Sequence, residues 1–187
     1  MIDEAKIAFR EIRKKLPLTA TVVILIKTLQ KTAFNKKKDE VEKQFLPIIH
    51  IYRHLLEKIS KKEAIEVAGN IIVECGVLDI SKSLPKLKKG EGLKEYLNLL
   101  KNSKYFRYSD YSIVEENDEE AKIIVKRCAY CNLFNKYNIS ELSPYLCKSD
   151  EVFFEKYNPN LSFILKKSIA KGDEFCEEIY RWRSSKA

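Results

Sequence analysis

The chain has 187 residues, with 35 Lys and Arg against 27 Asp and Glu for a net charge of +8, and 45% of it is hydrophobic. That apolar fraction excludes a disordered chain, and at this length about two-thirds of the unfolded surface can be buried without disulfide staples. Five Gly and five Pro exclude fibrous and linker-dominated classes.

The positive charge comes mostly from Lys, with Arg only at positions 10, 13, 53, 107, 127, 181 and 183. Bidentate readers of phosphate and base edges are therefore scarce, and no nucleic-acid partner is expected. The one dense run, Lys36-Lys37-Lys38, is followed at once by Asp39-Glu40. Residues 16–26 form the longest apolar stretch, short of the roughly 20 residues that span a bilayer, so no stable membrane insertion is expected. The stretch follows basic residues as a signal segment would, yet Lys27-Thr28-Leu29-Gln30 offers no small-residue cleavage site. An odd cysteine count without a secretion signal points to reduced thiols and a cytoplasmic protein.

Residues 1–103 read as a helical region. Asp3 can cap a helix to about Lys15, and residues 16–34, ending at Phe34, form a more apolar one. Val41, Phe45, Ile48, Ile49, Tyr52, Leu55, Leu56 and Ile59 make an i, i+3/i+4 stripe, with Pro47 as a kink or restart. Ala64, Ile65, Ala68, Ile71, Ile72 and Cys75 continue the period until Gly76 supplies a stop. A Lys-rich connector then leads to a short helix over residues 91–101.

Residues 104–187 change period. Aromatic and β-branched residues over 105–115 and 121–127 flank a polar turn, predicting a hairpin. Residues 128–137 form a helix, and a second begins at Ser143-Pro144, an N-cap followed by proline, and ends before Asn158-Pro159. Leu161, Phe163 and Leu165 alternate as a strand, Lys171-Gly172-Asp173 turns, and residues 175–183 return. The order β-β-α-α-β-β predicts an α+β fold: a helical N-terminal half, then a four-stranded antiparallel sheet with helices packed on one face, in one unit.

Four of the five cysteines fall in this last part. Cys128 and Cys131 share a helix face with Asn135; Cys147, Asp150 and Phe154 share a face of the next helix; Cys176 shares a strand side with Glu178, Tyr180 and Trp182. Because the helical pair sits between the hairpins, these faces can converge on one side of the sheet. The plain alternative is that each thiol packs as a small hydrophobe and that Tyr180 and Trp182 pack on the sheet.

The run Arg127-Cys128-Ala129-Tyr130, then Asn138-Ile139-Ser140-Glu141-Leu142, Cys147-Lys148-Ser149-Asp150, Pro159-Asn160-Leu161-Ser162-Phe163 and Gly172-Asp173-Glu174-Phe175-Cys176 with Tyr180, resembles the L-2-amino-thiazoline-4-carboxylic acid hydrolase family. The resemblance is strongest over residues 127–181; Ala129 stands where the family often has proline, and Cys131 where it has a small residue. It implies a hydrolase that opens the carbon–sulfur bond of a cyclic isothiourea, leaving an N-carbamoyl cysteine. An amidine-type carbon between nitrogen and sulfur is electrophilic once protonated and needs an anion to hold it and a nucleophile to attack it. Asp150 suits the first role. Cys128 or Cys147 suits the second, as a thiolate or through water, with Cys128 preferred since a helix N-terminus lowers a thiol's pKa and Arg127 adds positive charge. Cys176 is an alternative or supporting thiol of the catalytic set, Asn135 and Tyr180 are candidates to contact a small-molecule substrate, and an enclosed pocket of a few hundred Å3 lined by Cys128, Cys147 and Asp150 is expected.

Two other classes compete. Cys128-x-x-Cys131 has zinc-knuckle spacing, and Cys147 and Cys176 complete four sulfur ligands, so a zinc- or small-molecule-binding sensor of vinyl-reductase-like layout without catalysis is the alternative, zinc being the one cofactor considered. A helical adaptor or homodimer built on an exposed apolar patch within residues 16–34 is the third. The only histidines, His50 and His54, are expected as partly exposed residues on a polar helix flank, with a metal pair beside Glu57 as the sharper reading.

Overall fold

A computed structural model describes residues 2–33, 38–103 and 105–183. Five helices come first: α1 (Ile2–Arg13), α2 (Leu18–Ala33), α3 (Glu40–Leu56), α4 (Lys61–Ser83) and α5 (Leu93–Asn102). Their starts are written in local chemistry. Asp39 caps α3 by accepting the Glu42 N–H at 2.7 Å, and Ser60 with Glu63 closes a reciprocal box over the first turn of α4. Asp3 lies inside α1, where its charge faces the positive end of the helix. Pro47 neither ends nor restarts α3, which runs through it and buries apolar residues on both sides of it. The expected end of the second helix at Phe34, and Lys36 and Lys37 of the basic run, lie outside the described residues.

Gly76 does not stop its helix. α4 runs on to Ser83 because Gly76 serves packing: a Cβ there would overlap the Oγ and Cβ of Ser149. Gly69, two turns earlier, makes the same room for the Tyr145 ring. Ser149 in turn donates to the Tyr145 carbonyl at 3.1 Å, its own helix's backbone, within this close crossing. Gly76→Ala is expected to lose about 1–3 kcal/mol by overpacking, against about 1 kcal/mol of helix propensity gained. Urea unfolding measures it, and a more stable variant would show that the crossing has slack.

The second part contains strands β1 (Ser109–Glu116) and β2 (Glu120–Cys128), helices α6 (Ala129–Lys136) and α7 (Ser143–Tyr157), and strands β3 (Leu161–Lys167) and β4 (Cys176–Trp182). All pairings are antiparallel, in the order β1-β2-β4-β3. The α+β class and strand pattern stand as read from the sequence. β1 begins four residues later than its composition implies, because Tyr105 and Phe106 turn their rings inward, Phe106 stacking on Tyr111 at 4.2 Å. Ser143 is not a side-chain cap: Leu142 holds that position, and the Ser143 hydroxyl is buried without a partner.

One apolar cluster, with Ile12, Ile49, Tyr52, Leu55, Ala68 and Phe134, joins α1 to α4 and α6. Another, with Leu84, Tyr96, Leu97, Ile123, Phe154 and Tyr180, fills the space between the sheet and α5, α7 and the end of α4. Register sets which strand residues face it. Ala121, Ile123 and Val125 of β2 lie opposite Tyr180, Glu178 and Cys176 of β4, so a carboxyl and a thiol stand in an otherwise apolar row.

Candidate active site

Three elements deliver polar groups to this inner face. β2 ends at Cys128, which becomes the residue before α6 and so stands at that helix's positive end without a side-chain capping bond. α7 gives Tyr145 and Ser149 to α4 and turns Cys147, Asp150 and Phe154 the other way, Phe154 stacking on Phe163 of the sheet at 5.0 Å. β4 contributes Cys176 and Glu178.

The Gly-Asp-x-x-Cys segment builds a support. Gly172, at φ +99°, takes the left-handed conformation that closes the 3-10 turn Ile169–Lys171. The Asp173 carboxylate accepts the Ser168 N–H at 2.7 Å. This fixes the Ser168 hydroxyl 3.2 Å from the Cys147 sulfur and lets the Ile169 N–H donate to the Cys176 sulfur at 3.3 Å. The glycine and aspartate thus hold the loop that holds two thiols.

Cys128 is the acidic thiol of the set. The Cys131 thiol donates to it, and despite the opposing effect of burial the N–H groups of Cys131 and Tyr130 add to that bond, so Cys128 titrates below the ordinary thiol range. Arg127, exposed to solvent, is not what lowers it. Cys131 moves the opposite way for the same reason, since ionising it would break its bond to Cys128. Burial pushes Cys147 up to about 12 and Cys176 up to about 11.

Two acids complete the cluster. Asp150 accepts from the Tyr105 hydroxyl at 2.7 Å, and Glu178 from the Tyr180 hydroxyl at 2.8 Å. Burial raises Asp150 to about 7, Tyr105 opposing it and the negative charge of Cys128 adding to it. Burial raises Glu178 to about 8, and the charge of Asp150 adds to that. Among the described residues no Lys, Arg or His forms an ion pair with either acid. Two carboxyls and an acidic thiol therefore feel one another across a region that supplies hydroxyls and amides but no cation.

Cys128, Cys147, Asp150 and Cys176 are thus brought within electrostatic reach of one another. Tyr180 is fully buried, and its hydroxyl serves Glu178. Asn135 is exposed and lines a cleft of about 660 Å3 with Cys131, Ser143, Ile169 and Gly172. Cys131 lines this cleft from the first turn of α6, whereas Cys128, Cys147 and Asp150, expected to line a pocket, do not line it. Glu178 and Tyr105 were not among the expected site residues. Glu178 was legible from its alternation with Cys176, whereas Tyr105 was hidden inside an apparent strand.

The four-sulfur zinc set is not assembled: among the described residues no three His, Cys, Asp or Glu side chains are placed to hold a metal ion. Cys131 spends its thiol proton on Cys128, and Cys147 and Cys176 turn to the Ser168 loop. His54 is buried, not exposed, with its Nδ1 3.5 Å from Glu57, and His50 is half-buried. All five cysteines are unpaired thiols, and no described helix is long and apolar enough to cross a membrane.

The sequence profile of the L-2-amino-thiazoline-4-carboxylic acid hydrolases matches residues 38–180. The chain belongs to this family. The match starts ahead of α3, so α3, α4 and α5 are part of the family body, beyond the cysteine-rich end where the motifs are easiest to see. Comparison with curated proteins gives no significant match. Among solved structures, the Fe(II) unliganded H-NOX protein from K. algicida is similar over 98% of this chain and 97% of its own, at 12% identity and a TM-score of 0.33. A point mutant of that protein gives 12% identity and a TM-score of 0.35 over 96% and 97%. Likeness at that level assigns neither fold nor ligand.

Selective alkylation separates the thiols. At pH 7 iodoacetamide is expected to modify Cys128 first, and Cys131→Ala to slow that reaction roughly tenfold by returning Cys128 toward an ordinary thiol. Peptide mapping checks it; equal labelling of Cys128 and Cys147 would contradict the assignment.

Proposed function

We propose that this member of the hydrolase family opens a cyclic isothiourea, with L-2-amino-thiazoline-4-carboxylic acid as the substrate, using Cys128 as nucleophile and Asp150 and Glu178 as the groups that hold and protonate it. The observation that carries this reading is a buried and a half-buried carboxyl, Glu178 and Asp150, beside an acidic thiol, with no cationic side chain among the described residues paired to either. An amidinium is planar, positively charged and able to donate to an ionised Glu178 and to the carbonyl oxygen of a still protonated Asp150, so a protonated 2-aminothiazoline supplies the missing charge. The cleft past Cys131 and Asn135 is the approach route for such a ligand.

The chemistry balances with these groups alone. The Cys128 thiolate attacks the carbon between nitrogen and sulfur, the ring carbon–sulfur bond breaks, and the departing sulfur takes the proton of Asp150. Water then attacks the same carbon, now bonded to Cys128, and gives one proton to Asp150. Collapse forms the carbonyl, releases the Cys128 thiolate and passes one proton to Glu178, leaving N-carbamoyl cysteine. Tyr105 and Tyr180 position the two acids, and Cys131 stabilises the thiolate between cycles. Cys147 and Cys176, which stay protonated at neutral pH, are held by the Ser168 loop and shape the wall.

The test is direct turnover. Purified protein given the thiazoline should release one new thiol per ring opened, read with a disulfide dye, and N-carbamoyl cysteine, read by mass. Absence of both at pH 6–8 would sink the reading.

A further inference from the structure

Helix α2 has a second apolar face that no described residue covers. It buries Thr21 (0% exposed), Ile24 (2%) and Thr28 (4%), the last with no partner for its hydroxyl, and leaves Leu18, Val22, Val23, Ile26 and Leu29 in solvent at 40–67% exposure. Leu18, Val22, Ile26 and Leu29 follow one another at helical spacing, so they form one stripe, with Val23 beside it and Lys27 at its edge. Scattered apolar residues on a surface mean little; five on one helix that already buries Ile24 on its other side mean that the outward face has a partner.

Charge identifies the kind of partner. Between Arg13 and Lys38 the chain has eight basic residues, Arg13, Lys14, Lys15, Lys27, Lys31, Lys36, Lys37 and Lys38, and no Asp or Glu. The rest is balanced, with 27 basic and 27 acidic residues, so the whole net charge resides in the segment that carries the stripe. Lys14 and Lys38 pair locally with Glu11 and Glu42 at the end of α1 and the start of α3, and Lys15 reaches Glu66 of α4. A second copy docking here would bring two such segments together. Nucleic acid would meet aliphatic side chains with no aromatic ring to stack on.

We infer that α2 docks on the surface of a membrane containing anionic phospholipids. The helix lies in the plane of the interface with Leu18, Val22, Ile26 and Leu29 among the upper acyl carbons and its lysines at the level of the headgroups. It has 16 residues, and no described helix crosses a bilayer, so the association is peripheral.

Sedimentation of the whole protein with vesicles tests this. Vesicles of phosphatidylcholine with one-third phosphatidylserine are expected to bind it at least about tenfold more tightly than phosphatidylcholine alone, with binding weakening as salt rises. Ile26→Gln with Leu29→Gln, both exposed and so harmless to folding, should abolish the binding while circular dichroism and melting stay unchanged. Lys27→Ala should weaken it roughly fivefold, the contribution of one basic side chain near such a surface. Equal binding to both vesicles, or full binding by the double variant, overturns the inference. So does light scattering that shows a dimer which the double variant dissociates, or duplex DNA captured in place of vesicles.

Discussion

Cys128→Ala is expected to lower thiazoline turnover by on the order of a thousandfold or more, while Cys147→Ala and Cys176→Ala lower it by no more than about tenfold. The asymmetry follows from where the thiols sit. Cys128 meets a helix N-terminus and a donating thiol, and so is thiolate in useful amounts near neutrality. Cys147 and Cys176 are buried against a hydroxyl and a single amide, which leaves both protonated. Serine at position 128 should be equally inactive and no less stable, because it suits the residue before a helix but does not ionise in this range. Cys131→Ala should retain activity with its pH optimum moved upward, since the thiolate it stabilises would form later. Steady-state kinetics on the four variants checks this; loss confined to Cys147 would move the nucleophile to α7.

Asp150→Asn and Glu178→Gln are each expected to stabilise the protein at pH 8–9 while removing its activity. An ordinary aspartate has lost its proton by about pH 4 in the unfolded chain, whereas in the folded protein Asp150 keeps it to about 7 and Glu178 to about 8. Between those limits the folded state binds more protons than the unfolded one, so stability falls as pH rises. A shift of about three units corresponds to roughly 4 kcal/mol in the alkaline limit, and partial access of solvent to Asp150 reduces this to about 2–4. The Asn variant keeps an acceptor for Tyr105 and never charges, so it should match the parent at pH 4–5 and exceed it at pH 9. Urea unfolding across pH checks the sign. A parent equally stable throughout, or an Asn variant weaker at pH 9, would mean that these acids are solvated. Stability given up at two named side chains is what a site kept for a cationic ligand should display.

Much of the fold was legible because its signals are periodic. The stripe from Val41 to Ile59, its continuation from Ala64 to Cys75, and the alternation of Leu161, Phe163 and Leu165 each place an element without help from the rest of the chain. What escaped notice depends on contacts between elements. Gly76 has the look of a helix stop until Ser149 is seen crossing it, and Tyr105 has the look of a strand residue until its hydroxyl is found on Asp150. In the candidate site the cysteines and Asp150 stood out by type, whereas Glu178 was legible only by its alternation with Cys176, because an acid on a strand is ordinarily solvated; its place opposite Ile123 shows that it faces inward. The uncovered face of α2 has a related origin: its composition marks it as apolar all round, but which side is covered is decided by its packing on α3 and α1.

The most direct measurement is calorimetric binding of the thiazoline substrate to Cys128→Ala at pH 6, repeated in buffers of different ionisation heat to count protons. Both acids are protonated in the free protein at that pH; Glu178 must ionise to pair with an amidinium while Asp150 keeps the proton it gives to the departing sulfur, so about one proton should be released per ligand bound, and Asp150→Asn with Glu178→Gln should bind little and release none. Binding without proton release, or undiminished binding by the double variant, would contradict the claim that a cation completes this buried acidic cluster.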